Sequence, residues 1–402
     1  MLNKSTDTRL WTGYYILILF IITLIQMINN MLNTTMAEYV KQIGGSNFLG
    51  GFSMTVFTIT ALLTRPISGK LADSRSRKII LIIGSSVVVL ASLLYNFSFV
   101  VITLLAVRAI HGVGFSGSTT VTSTVVSDIV PNSRLNEGIG YFGIATTIAM
   151  AIGPAVAMFI IARYNYRYLF VIITVLSVIA FVPTFMVNYE KKAARLKTET
   201  PVIPANLKGG FIERAAIPGA LVTVLYALTF TSVSTFLYLY ATTRGIKNIG
   251  IYFTINACAI ILIRVTTSRL GDRLGPKKMI IPGMALLFIS MIILAFANTL
   301  PLFLISSVLN GFGNGIIQPI LLTTIIRMCP AHKRGAANAM YWAALDIGVG
   351  IGSMIWGFIS QLFGYTVLYI ATAACVVLSF LIYVYVVDKR SAAPNLETSP
   401  SL

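Results

Sequence analysis

Five ionisable side chains stand inside long apolar runs of this chain: Arg65, Arg108, His111, Arg264 and Asp346. A charge at membrane depth costs at least about 2.5–3.5 kcal/mol, so each of these groups needs a partner or a function. Arg108 and His111 are three residues apart and share a helical face. His111 could change its charge near neutral pH, but the neighbouring cation opposes protonation, so a proton switch and a neutral buried imidazole both stay open. Ion pairing and proton binding are the chemistry that these residues predict.

The composition around these residues indicates an all-α membrane protein. Hydrophobic residues make up 56% of the 402 residues and charged residues 10%, against roughly 25% charged in an ordinary soluble domain. The apolar runs are about twenty residues long and lack strand-like alternation, which favours helices over a barrel. We predict twelve transmembrane helices, roughly at residues 13–36, 47–68, 79–96, 100–126, 138–161, 167–188, 217–241, 248–268, 279–298, 301–326, 336–360 and 366–387.

The net charge of +18 would suggest nucleic-acid binding in a soluble protein, but here the positions of the cations indicate topology. With the amino terminus, every second loop and the tail on one side, that side carries 22 of the 30 Lys and Arg. The positive-inside rule then places both termini in the cytoplasm. We therefore expect a multi-pass protein of the plasma membrane with no nucleic-acid partner.

No residue pattern predicts a metal site or a cofactor. Cys258, Cys329 and Cys375 are scattered without metal-ligand spacing, and small apolar filling is their expected role. The chain has no His-Glu metal helix and no nucleophile-base pair. We therefore do not expect an enzyme, and an intramembrane enzyme or a receptor is a remote alternative.

The chain is built from an internal repeat, with a constant shift of 199 residues from the second predicted helix to the last. Identical residues follow this shift in the pairs Arg65 and Arg264, Asp73 and Asp272, Gly112 and Gly311, and Gly153 and Gly352. We predict two pseudo-symmetric six-helix bundles, 1–188 and 214–387, with a cytoplasmic linker, 189–213, and a disordered tail, 388–402. Parallel repeats with a substrate site at their interface are the architecture of one class of secondary transporters.

Two residues that carry a formal charge break the repeat. Arg108 corresponds to Ser307, and Asp346, the only carboxylate well inside a predicted helix, corresponds to Thr147. Since the other repeat manages without these charges, the fold does not require them, which favours a functional role. For Arg108 the alternative is a structural ion pair with another helix.

Three stretches of this chain carry a family resemblance: Gly69–Lys78, Leu104–Gly114 and Gly143–Pro154. They resemble the loop signature after helix two, the helix-four motif and the helix-five exporter motif of the major facilitator superfamily, and within it of bacterial twelve-helix drug and metabolite efflux transporters. Three residues depart from the family pattern: Ser76 and Ala157 stand where glycine is preferred, and His111 where glutamine is usual.

The resemblance implies a proton-coupled carrier of small molecules, and we expect a monomer. In that family the arginine that matches Arg108 is implicated in proton coupling. Helices two and eleven are neighbours in the family fold, so we hypothesise that Arg65 and Asp346 form an ion pair across the two bundles. Protonation of Asp346 would remove the attraction and shift the balance between access states. The alternative is a static pair that only satisfies two buried charges.

The hairpin after the second predicted helix is expected to latch the cytoplasmic side. Asp73 would dock on the free amides at the start of helix eleven, where the helix dipole attracts a carboxylate, with Arg77 and Asp128 bracing it. The residues assigned to this conformational latch are Gly69, Asp73, Arg77, Lys78, Asp128 and Asp272.

The transported molecule is expected between the bundles, against helices one, four, seven and ten. Besides Arg108 and His111, the polar positions on these helices are Gln26, Asn29, Asn33, Tyr226, Thr229, Asn310, Asn314 and Gln318. In helix five, Gly153 and Pro154 predict a bend packed closely on another helix. The polar set suits a neutral or anionic amphiphile better than an organic cation. We interpret the chain as a proton-coupled exporter, with an importer of a sugar or another nutrient as the alternative.

Overall fold

The computed structural model describes residues 10–74, 76–131, 134–187, 216–274, 276–329 and 334–387. Within these ranges the chain is helical and contains no strand. It divides into two compact units, Met1–Ala205 and Asn206–Leu402, called the N-terminal and C-terminal units below. The predicted all-α class is confirmed. The predicted linker, 189–213, and the predicted tail, 388–402, lie outside the described residues.

The N-terminal unit has six described helices. They are α1 (Gly13–Gln42), α2 (Asn47–Ser74), α3 (Arg77–Tyr95), α4 (Val101–Ile129), α5 (Leu135–Arg163) and α6 (Tyr166–Phe181), the last followed by a 3₁₀ turn, Val182–Met186. Helix α4 packs against α2 and α3, α1 packs against α5, and α3 packs against α6. This arrangement surrounds α4 with neighbours, so the polar residues of α4 are positioned by α1, α2 and α3.

The C-terminal unit repeats this plan. Its helices are α7 (Ile217–Thr243), α8 (Gly250–Leu274), α9 (Pro276–Phe296) and α10 (Leu300–Arg327), followed by the helical run Arg334–Ile382. Gly364 breaks that run, with φ 82° and ψ 176°, a conformation that favours glycine. We label its parts before and after Gly364 α11 and α12. Helix α10 packs against α8 and α9, as α4 does against α2 and α3.

The described helices are long and apolar enough for a multi-pass membrane protein. Ten stretches qualify by length and hydropathy, and one of them, Met340–Val387, has 48 residues. A straight helix of that length would measure about 72 Å, more than twice the hydrocarbon thickness of about 30 Å. Since Gly364 interrupts it, the stretch holds two crossings. The apolar helix segment Gly250–Arg264 is shorter and supplies the remaining crossing of the predicted twelve.

Matching glycines let the helices of each unit approach closely. A Cβ atom on Gly112 of α4 would collide with the carbonyl oxygen of Phe57 on α2. A Cβ atom on Gly311 of α10 would stand 2.5 Å from the carbonyl oxygen of Asn256 on α8. Phe57 and Asn256 are themselves related by the 199-residue shift. The two units therefore use the same backbone contact, as helix pairs in membranes commonly do with small residues.

Several helices extend beyond the bounds predicted from hydropathy. Helix α1 continues to Gln42, and α2 continues to Ser74, so much of the predicted ten-residue link is helical. In the other direction, α6 ends at Phe181 and gives way to a 3₁₀ turn. Hydropathy marks only the part of a helix inside lipid, whereas a helix can continue into water with polar side chains. The predicted ends of α1 and α2 were wrong for that reason, whereas the end of α6 was wrong because its last residues form the tighter 3₁₀ turn.

Large apolar side chains cover the outside of the helices. Phe97, Phe99 and Ile102, near the α3–α4 turn, are 67–71% exposed. In water such a surface would be unfavourable, whereas lipid tails solvate it well. The polar side chains are instead concentrated inside each unit.

Candidate functional site: two buried polar networks

Arg108 is completely buried in the N-terminal unit. Its Nη2 atom donates to Oδ1 of Asn33 at 3.0 Å and to Sδ of Met54 at 3.1 Å, and its Nε atom donates to the carbonyl oxygen of Ser53 at 3.3 Å. The guanidinium carbon lies 4.6 Å from the ring centre of Phe57. None of these contacts is a carboxylate. The positive charge is therefore held by dipoles and an aromatic face, which attract a cation more weakly than a carboxylate does.

His111 lies one helical turn further along α4 and is also completely buried. Its Nδ1 atom is 3.3 Å from the hydroxyl oxygen of Tyr95 on α3. Its ring centre lies 5.3 Å from that of Phe57, so the imidazole and the Arg108 guanidinium share one aromatic neighbour. We call Asn33, Ser53, Met54, Phe57, Tyr95, Arg108 and His111 the N-terminal network. The predicted proximity of Arg108 and His111 on one face agrees with this arrangement.

The carboxamides predicted on α1 differ in burial. Asn33 is 9% exposed and accepts the hydrogen bond from Arg108, and Asn29, one turn earlier, is 8% exposed. Gln26 is half-buried, and its carbonyl oxygen accepts a hydrogen bond from Nδ2 of Asn30 at 2.7 Å. Helix α1 therefore contributes Asn33 directly to the N-terminal network and places Asn29 beside it along the helix.

The C-terminal network is a chain of amides and a phenol. The hydroxyl of Tyr226 on α7 donates to Oδ1 of Asn314 at 2.8 Å, and Nδ2 of Asn314 donates to Oδ1 of Asn310 at 2.7 Å. The same Asn310 oxygen accepts from Nδ2 of Asn256 on α8 at 3.1 Å. Three predicted positions thus meet in one network, and Asn256 joins them although the sequence did not single it out. Thr229, also predicted, is buried on α7 and bonds to its own helix.

Arg264 has a partner that the sequence did not reveal. Its Nη2 atom donates to Oε1 of Gln318 on α10 at 2.5 Å. The hydroxyl of Tyr341 on α11 donates to the backbone carbonyl of the same glutamine at 3.3 Å. Gln318 was predicted only as a cavity residue. Because Arg264 and Gln318 are 54 positions apart, no local spacing could have paired them.

The repeat mates Arg108 and Ser307 make the same backbone contact. Arg108 donates to the carbonyl of Ser53, and Oγ of Ser307 donates at 2.5 Å to the carbonyl of Tyr252, which is the repeat mate of Ser53. A serine hydroxyl is therefore sufficient for this helix–helix contact. The guanidinium of Arg108 adds donors and a charge that the shared fold does not use.

Two residues assigned to the predicted latch meet at one end of the N-terminal unit. Arg77, at the start of α3, forms an ion pair with Asp128, near the end of α4. The neighbouring Lys78 donates from Nζ to the carbonyl oxygen of Phe185 at 2.8 Å. These contacts hold the start of α3 against α4 and against the turn after α6. The side chains of Asp73 and Asp272 lie outside the described set, so the docking of Asp73 stays a prediction. Gly69 lies on α2 with Thr120 of α4 nearby.

Gly153 of α5 lies against α1. A Cβ atom on Gly153 would stand 2.9 Å from the carbonyl oxygen of Met27 and 3.2 Å from Cβ of Asn30. Pro154 follows inside the helix, where it removes one backbone donor. The close helix contact expected at this motif is therefore present in the N-terminal unit.

Arg65 and Asp346 lie in different units. Arg65 is half-buried on α2, and Asp346 is half-buried on α11 with its Oδ2 atom enclosed. The matching depths and the ion pair between them stay predictions.

Comparison with known proteins decides the family. The sequence profile of the Major Facilitator Superfamily matches residues 18–264 and 219–401. The chain belongs to this superfamily. It is a multi-pass membrane transporter and not an enzyme, as the motifs predicted.

Relatives within the superfamily include two whose names describe export or resistance. The chain is 24% identical to the staphylopine export protein of Staphylococcus aureus, covering 89% of this chain and 92% of the relative. It is 24% identical to the multidrug resistance protein MdtG of Salmonella arizonae, covering 84% and 86%. A crystal structure of a mutant nucleoside transporter, NupG, matches with a TM-score of 0.78 at 13% identity, covering 92% of this chain and 99% of that one. The last likeness shows the fold alone.

Proposed function

We propose that this superfamily member exports small organic molecules from the cell in exchange for protons. The observation that carries the direction is the helix-five stretch Gly143–Pro154, which resembles the exporter motif and in which Gly153 packs on the backbone of α1. The names of the two relatives, one an export protein and one a multidrug resistance protein, support the same direction. We place the protein in the plasma membrane of a bacterial cell, with both termini in the cytoplasm.

Proton coupling is proposed to depend on the charges inside the helices. Asp346 is the carboxylate that can take up a proton at membrane depth, and Arg65 is its proposed partner. Protonation would neutralise the pair and change the relative stability of the inward-open and outward-open states. Arg108 lies fully buried near His111 and would bias the charge of groups that approach it. The cargo itself crosses by alternating access of the two units.

Inverted membrane vesicles with an acidic interior test this proposal. Compounds are added outside, beginning with staphylopine, while a pH-sensitive dye reports the proton gradient. Antiport predicts that cargo enters as protons leave, so the gradient falls after addition. Vesicles that carry Asp346→Asn, and vesicles without the protein, should keep the gradient.

The result that would overturn the proposal is co-movement of cargo and protons in one direction. That outcome would indicate the alternative function, an importer of a sugar or another nutrient. If the gradient falls equally in the Asp346→Asn vesicles, proton-coupled export does not depend on Asp346.

A further inference from the structure

The N-terminal network contains hydrogen-bond donors that the described protein does not use. A guanidinium has five N–H donors. In Arg108 the Nε donor reaches Ser53 and the two Nη2 donors reach Asn33 and Met54, while the Nη1 atom, fully buried, has no partner among the described residues. One of the three occupied positions faces a thioether, a weak acceptor. Buried donors of this kind are rare, and each requires an explanation.

His111 adds a second unused group beside the first. Its Nε2 atom is buried and has no partner within the described chain. The Tyr95 hydroxyl oxygen lies 3.3 Å from the Nδ1 atom of the same ring. A phenol donates a hydrogen bond more readily than it accepts one, and an unprotonated imidazole nitrogen is a good acceptor, which favours an O–H bond that points toward Nδ1 of His111. A neutral imidazole whose Nδ1 atom accepts must carry its proton on Nε2, so Nε2 is a donor.

At the two positions equivalent to Arg108 and His111, the C-terminal unit carries polar atoms that have partners in the protein. Ser307, the repeat mate of Arg108, has its hydroxyl bonded to the carbonyl of Tyr252. Asn310, the repeat mate of His111, has a carboxamide oxygen that accepts from both Asn256 and Asn314. The Ser307 hydroxyl and the Asn310 carboxamide oxygen are thus engaged within the protein, whereas Nη1 of Arg108 and Nε2 of His111 have no partner among the described residues.

The two unpartnered groups indicate which kind of ligand the site would bind. Both unused groups are donors, both lie close to the Phe57 ring, and one of them belongs to a cation without a carboxylate among its described contacts. A carboxylate offers about four acceptor positions and a negative charge, and its bonds to a guanidinium are among the strongest in proteins. An organic ammonium would be repelled by the Arg108 charge and could not accept a hydrogen bond from either group.

We propose that Arg108 and His111 together form a binding site for a carboxylate group of the transported compound. The site rests on the proposed function in so far as the cargo is a small organic molecule. It narrows that cargo to organic acids with an apolar body. Tyr95 acts as a positioning residue because it holds the imidazole with its Nε2–H free to donate.

Nitrogen NMR of the full-length protein in lipid nanodiscs tests the site directly. The chain has two histidines, His111 and His332, so a His332→Gln protein labelled with ¹⁵N-histidine gives the signals of His111 alone. The expected spectrum without added acid shows a protonated Nε2 and an unprotonated Nδ1. The opposite tautomer would overturn the proposal, because Nε2 would then be an acceptor.

Titration then compares acids with uncharged analogues of the same shape. Benzoate and 2-naphthoate are expected to shift the Nε2 signal, whereas benzamide and 2-naphthamide are not. Equal shifts by acids and amides, or no shift by either acid, would refute the site. A shift with formate or chloride but not with the aromatic acids would also refute it, because it would indicate a site for small free anions.

Substitutions connect the signal to Arg108. Arg108→Gln should weaken benzoate binding about 10- to 100-fold, the loss expected for charge-assisted hydrogen bonds. Arg167→Gln removes the same charge from an exposed position of the same unit and should leave the dissociation constant unchanged. Unchanged affinity in Arg108→Gln would contradict the proposal. If that variant does not fold, Arg108→Lys keeps the charge without the planar fork and should weaken binding as well.

The binding measurement is independent of transport direction. It uses no gradient, so an importer with this site would give the same spectra. The carboxylate site could then be correct even if the proposed export is wrong. Export with no preference for acids would instead support the proposed function and contradict the carboxylate site.

Discussion

Replacing Gly153 by alanine should destabilise the N-terminal unit more than the matching change at Gly352 destabilises the C-terminal unit. At Gly153 the new Cβ would stand 2.9 Å from a backbone oxygen, that of Met27, which cannot move without shifting α1. At Gly352 the nearest atom, also at 2.9 Å, is Cδ2 of Leu228, the mobile end of a side chain. The two glycines are repeat mates, so the comparison holds the fold constant and varies only the neighbour.

The size of the effect follows from two opposing contributions. Overpacking against a fixed neighbour costs about 1–3 kcal/mol, and replacing glycine by alanine in a helix returns up to about 1 kcal/mol. The expected net loss for Gly153→Ala is about 1–2 kcal/mol, or roughly 2–8 °C in Tm for a unit of this size. For Gly352→Ala the two contributions should nearly cancel. Gly143→Ala, which has open space within 4 Å, should be neutral or slightly stabilising.

Thermal unfolding of the purified variants in detergent measures these differences, with retained monodispersity as the control for folding. The expected order of Tm is Gly143→Ala at or above the parent protein, Gly352→Ala close to it, and Gly153→Ala below both. A Gly153→Ala protein as stable as the parent would refute the argument. So would a Gly352→Ala protein that loses as much as Gly153→Ala.

Three further predictions concern polar contacts. Arg65→Asp and Asp346→Arg should each abolish transport in vesicles, and the double variant should recover part of it; equal loss in all three would exclude the proposed pair. Asp128→Asn should lower the free energy of unfolding by about 1 kcal/mol or less, as for other partly exposed ion pairs, and a double-mutant cycle with Arg77→Gln should give a coupling near that value rather than zero. Tyr226→Phe removes one neutral hydrogen bond of the C-terminal network, so it should cost about 0.5–1.5 kcal/mol in thermal unfolding; an unchanged Tm would show that this bond does not contribute.

The helices and the repeat could be predicted because both depend on local or periodic information. Apolar runs of membrane length specify helices without reference to their neighbours, since lipid leaves no other way to satisfy the backbone. The shift of 199 residues then related Gly112 to Gly311, and the structure gives both the same role as close contact points between helices. Helix ends were less predictable, as at Ser74, because the signal from hydropathy stops at the edge of the lipid.

The polar partners could not be predicted because they depend on how each helix is rotated against its neighbours. Arg264 and Gln318 are 54 residues apart, and Arg108 and Asn33 are 75 apart. Packing over many side chains decides which face of α1 turns toward α4. The period of the sequence shows which residues share a face, but it does not show which helix that face contacts. Tyr95 was not singled out for the same reason, since a tyrosine inside an apolar run has no local mark of its contact with His111.

By itself, the sequence determined the class of protein, the two copies of one bundle plan and the positions where a charge breaks that plan. Length, hydropathy and a constant offset are sufficient for these, because they do not depend on which helices touch. Only the tertiary structure decided which polar atoms have partners: the Ser307 hydroxyl and the Asn310 carboxamide oxygen are engaged, whereas Nη1 of Arg108 and Nε2 of His111 have no partner among the described residues. Hydrogen bonds require atoms within about 3 Å, and only the packing of the helices brings residues from distant parts of the chain that close.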